Sequence, residues 1–128
     1  MSKKDRAPEI RPVFTWLKDV ADHDFAAAEA YLSIRFEDVV VKQLVQSLRE
    51  APLVTRRAND ILRACNRDPL PMEDPGVLHN LLKIARGEPL SPILVVNHGV
   101  SSDIADGYHR LSLIYQLDPF GDVPLRLA

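Results

Sequence analysis

The chain contains a single cysteine, Cys65, among 128 residues. No disulfide can form within it, and no thiol pair stands at zinc-ligand spacing, so a reducing cytoplasm is the expected compartment. Charge of one sign is also missing: 16 basic and 18 acidic residues leave a net charge of −2. No overall basic field therefore draws the protein onto nucleic acid, and non-specific DNA binding is disfavoured. Long apolar runs are absent, and the charged start from Met1 to Arg6 is not followed by a signal-type apolar core. A membrane partner is not expected. There is no internal repeat and no low-complexity stretch. What remains is a globular composition, 46% hydrophobic and 27% charged, of a length that suits one domain.

Residues 1–13 read as a flexible lead-in, and residues 14–128 as the single domain, with Trp16 and Leu17 where the chain first docks. The alanine-rich segment from Asp24 to Tyr31 suits a short helix, and Tyr31 to Phe36 fits either its continuation or a strand. Phe36, Val40, Val41, Leu44, Val45 and Leu48 recur at helical spacing before the stop signal Pro52. Val54, Ala58, Ile61, Leu62 and Cys65 predict a second amphipathic helix over Val54 to Cys65. A third carries Asp74 as N-cap, Pro75 in the first turn and Gly87 beyond its end, with Val77, Leu78, Leu81, Leu82 and Ala85 facing the core. Composition then changes. Pro92 to Asn97 is continuously apolar, as a strand covered on both faces would be. Asn97-His98-Gly99 is a turn signal. Asp103 to Asp106 follows as a strand, Tyr108 to Leu117 as a helix with Leu111, Ile114 and Tyr115 inward, and Val123 to Leu127 as a last strand. Pro124 places that strand at a sheet edge. The expected class is α+β, a small sheet with a helical N-terminal half.

The chemically suggestive stretch is Ile104-Ala105-Asp106-Gly107-Tyr108-His109-Arg110. Here a strand runs into a glycine and a helix begins. Glycine tolerates positive φ and allows close approach to the backbone. The first-turn amides lack intrahelical acceptors and carry the positive end of the helix dipole, so they favour an anion. Arg110 adds a fork matched to phosphate oxygens, and His109 a donor of the side-chain type whose charge can be tuned near neutral pH. Asp106 would repel a bare phosphate; it suits a helix cap or part of a magnesium shell. A purely structural part is open to Arg110 as well, as a bridge to Asp106 or Asp103.

The run "SPILVV", a turn, "IADGYHRLSLIY" and a closing "VPLRL" resembles the ParB/sulfiredoxin superfamily. More closely it is similar to bacterial ParB-like proteins carrying "IADGYHR", and "DHDFAAAEAYLS" and "DILRA" extend the likeness upstream, over roughly residues 22–128. The resemblance implies nucleotide binding. Sulfiredoxins carry Gly-Cys-His-Arg where this chain has Gly107-Tyr108-His109-Arg110, and hold ATP phosphates there. ParB proteins carry Gly-Glu-Arg-Arg and bind CTP, and a free-serine kinase of the superfamily has a similar Asp-Gly-x-His-Arg turn. By position, Gly107, His109 and Arg110 inherit phosphate binding, and Asp106 a metal role with magnesium accompanying the nucleotide; Tyr108 joins the ligand-binding set as a base-stacking aromatic, with packing as its plainer reading.

The departures narrow this. Tyr108 replaces the sulfiredoxin cysteine, which excludes sulfinic acid reduction by that route, and Cys65 reads as a buried apolar residue. The chain ends at Ala128 without ParB's helix-turn-helix and dimerisation domains, so a complete partition protein is not expected. Arg56, Arg57, Asp60 and Arg63 read as a salt-bridged helix face, with a sharper alternative in which Arg57, Asp60 and Arg63 line the cleft. His23, His79 and His98 lack companions at ligand spacing, and no transition metal is expected. The leading expectation is a nucleotide- or phosphate-binding domain. If it catalyses, phosphoryl transfer or phosphate-ester hydrolysis would use His109 as donor; the sequence does not identify the general base, for which Asp106 is the nearest candidate and Asp38 or Asp60 would serve only if the fold brings them close. The rivals are a non-catalytic interaction module and a DNA-associated accessory protein.

Overall fold

The computed structural model describes residues 14–128; the expected lead-in lies outside the described residues. Among the described residues the fold is α+β, with helices α1 (Asp22–Arg35), α2 (Asp38–Glu50), α3 (Ala58–Ala64), α4 (Pro75–Ala85) and α5 (Tyr108–Leu117). The strands are β1 (Leu53–Arg57), β2 (Ile93–Asn97), β3 (Ser102–Asp106) and β4 (Asp122–Leu127). They form one mixed sheet in the order β1-β4-β2-β3. β1 and β3 run antiparallel to their neighbours, while β2 and β4 are parallel.

β2 explains the layering. Its residues alternate sides, so Ile93 and Val95 join Ile61, Leu62, Leu111 and Ile114 beneath α3 and α5. Leu94 and Val96 join Phe25, Leu32, Val41 and Leu48 beneath α1 and α2. With a helical layer on each face, the strand can be apolar along its length, and Ile93 to Val96 are all buried. Phe25, Ala28 and Leu32 on α1, and Val41, Val45 and Leu48 on α2, fall three or four residues apart and give each helix one buried stripe. Trp16 docks through a parallel bridge to Leu90, with 2.8 Å backbone hydrogen bonds from Leu17 N to Leu90 O and from Leu90 N to Thr15 O.

Of the two readings open for Tyr31 to Phe36, the continuation of α1 holds, as helix up to Arg35. Three expectations change. The helix expected over Val54 to Cys65 is instead strand β1 followed directly by the short α3. Ala58, Ile61, Leu62 and Cys65 do share a buried face, but Val54 pairs with Leu125 in the sheet. Pro124 lies in an interior strand, not at an edge; it sits opposite Thr55, one residue before the pairing of β4 with β2 begins at Leu125. On α4 the buried residues are Val77 and Asn80, while Leu78, Leu82 and Ala85 face outward.

Candidate functional site

Gly107 joins β3 to α5 with φ at +104°, in the left-handed region that an L side chain resists. A Cβ there would also overlap the Ile93 side chain, so the residue is glycine for two separate reasons. The first intrahelical bond of α5 runs from Leu111 N to Gly107 O at 2.9 Å. No side chain caps the helix start, and the amides of Tyr108, His109 and Arg110 have no protein acceptor among the described residues. Beside the first two lies a cavity of about 370 Å³ along the open edge of β3, between α1 and α5. Asp106, Gly107, Tyr108 and His109 line it. Four of the residues predicted from the sequence are thus brought together.

Arg110 is not among the lining residues. Its Nη2 lies 3.0 Å from Asp106 Oδ2, 3.3 Å from Asp24 Oδ2 and 3.4 Å from the Pro92 carbonyl. The three side chains are 16%, 17% and 6% exposed (Arg110, Asp106, Asp24). One guanidinium therefore serves two carboxylates, and binds the first turn of α1 to the β3–α5 turn. Burial pushes the Asp106 carboxyl above its ordinary range; Arg110 opposes that shift, and the neighbouring Asp24 reinforces it.

His109 sits at the rim, half exposed, with Nε2 3.5 Å from Asp74 Oδ2. Asp74 is also the cap of α4, its Oδ2 accepting from Gly76 N at 3.0 Å and Val77 N at 3.1 Å. A Cβ on Gly76 would overlap the His109 ring. The starts of α4 and α5 thus share this imidazole, which packs against a glycine beside a capping carboxylate.

The cavity's own guanidinium belongs to Arg67, a residue that sequence reasoning missed. Its Cζ stacks 4.5 Å from the centre of the Tyr108 ring. The remaining arginines proposed for the cleft lie elsewhere: Arg57 is 6.0 Å over the Phe120 ring, and Arg63 is exposed, 3.5 Å from Asp60. At the opposite end of the cavity Asp103 accepts from Tyr31 Oη at 3.1 Å and meets His98 Nε2 at 2.9 Å and Arg35 Nε at 3.3 Å. Burial and the Asp103 charge raise the Tyr31 phenol above its usual value.

A magnesium shell takes several oxygen ligands. Asp106 and Asp24 each already give an oxygen to Arg110, and among the described residues no group of three or more His, Cys, Asp or Glu side chains could hold a metal ion. The side chains present do not amount to a magnesium cage of the protein's own. No helix among the described residues is long and apolar enough to cross a membrane. Comparison with protein-family models, with curated proteins and with solved structures found no match.

Proposed function

We propose that this domain binds a phosphate-bearing small molecule, a nucleotide in the manner of the ParB/sulfiredoxin superfamily that its sequence resembles, at the start of α5. The single observation that carries this reading is the set of unsatisfied amides in the first turn of α5, at Tyr108, His109 and Arg110, of which Tyr108 and His109 line a cavity of about 370 Å³. Free amides at a helix start combine hydrogen-bond donors with the positive end of the dipole, which is the chemistry an anion needs. His109 at the rim supplies a further donor. Arg110 supports the turn from behind, because its charge is already shared between Asp24 and Asp106.

If the site performs chemistry, phosphoryl transfer or phosphate-ester hydrolysis suits it best. The amides would stabilise charge developing on the phosphate, and His109 would donate to one of its oxygens. Asp106 is the nearest base. Burial moves its carboxyl toward neutral pH, the direction a general base requires. Magnesium, in this reading, arrives with the ligand. Calorimetric titration with ATP, CTP, GTP and inorganic phosphate, each with and without magnesium, should give saturable heat for at least one. Silence from all four with folded protein would end the reading.

A non-catalytic interaction module is the second reading. Leu78 and Leu82, 42% and 58% exposed and one turn apart on α4, favour it by leaving an apolar strip uncovered among the described residues. His109→Ala separates the two: ligand binding or turnover falls with stability intact under the first reading, and nothing changes under the second.

A further inference from the structure

Building on the phosphate site proposed above, we infer that Arg67 determines its specificity, supplying the cation that grips a compact phosphomonoester. Most guanidiniums that approach a carboxylate in this molecule are already committed. Arg35 faces Asp103, Arg63 faces Asp60, Arg86 faces Glu88, Arg126 faces Asp19, and Arg110 faces two acids at once. Arg67 lines the cavity and has no carboxylate partner among the described residues.

Its position is built. α3 ends with Asn66 in the left-handed region at φ +51°, and the amides of Asn66 and Arg67 fold back onto the carbonyls of Arg63 and Leu62 at 3.1 and 3.0 Å. That reversal sends the chain across the start of α5. The segment beyond it is pinned to α5 three times: Tyr108 Oη donates to the Asp68 carbonyl, Leu70 N donates to Ser112 Oγ at 3.0 Å, and Gln116 Nε2 donates to the Leu70 carbonyl at 2.9 Å. Ser112 is fully buried, so this anchor lies in the packed interior. Between the turn and the anchors, Arg67 lies on the Tyr108 ring. Contact with the ring restrains the guanidinium, so less freedom is lost when an anion is gripped.

Two carboxylates also line the cavity, each already paired, Asp106 with Arg110 and Asp103 with Arg35 and His98, and against them Arg67 and the α5 amides bring positive charge to one small space from two different elements. A terminal phosphate, with two negative charges and three oxygens, can use both together. At about 370 Å³ the cavity stands near the lower end of the range of roughly 300–1,000 Å³ for small-molecule sites. A compact phosphomonoester, such as a nucleoside monophosphate, is the ligand best matched to that space.

The test is calorimetric titration of inorganic phosphate, AMP and ATP into wild type, Arg67→Ala and Arg67→Lys, with thermal melts as folding controls. Wild type should bind AMP at least threefold tighter than ATP. Arg67→Ala should weaken AMP binding at least tenfold with an unchanged melting temperature, and Arg67→Lys should restore part of the loss. Wild-type affinity in a folded Arg67→Ala protein would overturn the role of Arg67 while leaving the phosphate site standing. Tighter binding of ATP than AMP would overturn the size match. Failure of wild type to bind any of the three would remove the phosphate site and this inference with it.

Discussion

Single residues carry the sharpest consequences. Gly107→Ala imposes a left-handed backbone on a side chain, at roughly 1–2 kcal/mol, and crowds Ile93, at roughly 1–3 kcal/mol. A urea titration should show both losses together. Arg110→Ala leaves Asp24 and Asp106 without their shared partner, and a loss on the order of 3 kcal/mol is expected. Asp106 itself has a worked sign. Its folded pKa lies above the ordinary 3.8, so its contribution to stability is fully present below about 3.8 and is lost as pH rises through the folded value. The stability of wild type relative to Asp106→Asn should therefore decline over that window; a flat difference would mean that burial does not disfavour the charged carboxylate. Gly76→Ala behaves differently. The imidazole it displaces is half exposed and can swing away, and alanine is the better helix former by up to about 1 kcal/mol. Stability should hold or rise, while the His109 ring resonances shift and any activity falls.

At the level of elements, the sequence was most legible where each segment decided its own structure. Helix α5 runs over the predicted Tyr108–Leu117, and the Asp74 cap of α4 is formed as its pattern indicates. β1 was hidden because Leu53 and Val54 are its only partly buried residues and no breaker separates it from α3, so Val54 completes a helical stripe equally well. Pairing with β4 decides the matter, and that information lies some 70 residues away in the chain. Pro124 misled for a related reason: proline excludes a donor, and β4 accommodates it where pairing to β2 has not yet begun. The same distance effect governs the site. Gly107, Tyr108 and His109 are consecutive and readable, whereas Asp24, Asp74 and Arg67 reach the turn only through the fold. β4 also holds α2 in place. Arg126 donates to the Arg49 carbonyl at 2.9 Å and to the Ala51 carbonyl at the C-terminal end of that helix, and pairs with Asp19 at 2.6 Å. Arg126→Ala should lower stability by roughly 2–3 kcal/mol, the scale of charged hydrogen bonds. Asp19 gives the opposite pH sign to Asp106: its pKa is lowered, first by the hydrogen bond from Arg126, so its contribution is present above about 3.8 and fades as pH falls through the folded value.

For the molecule as a whole, two helical layers close over the faces of a four-stranded sheet and leave the outer edge of β3 to form one wall of the cavity. The apolar interior fixes where the last helix begins, and Arg110 secures that start to α1 through paired carboxylates. The helix can therefore present unsatisfied amides without fraying, because its hold on the core lies on the opposite side at Leu111 and Ile114. A ¹⁵N-amide NMR titration with inorganic phosphate tests this most directly. Saturable shifts should concentrate at Tyr108, His109 and Arg110, with weaker ones at Arg67. Shifts scattered over the surface, or none at those three amides, would contradict it.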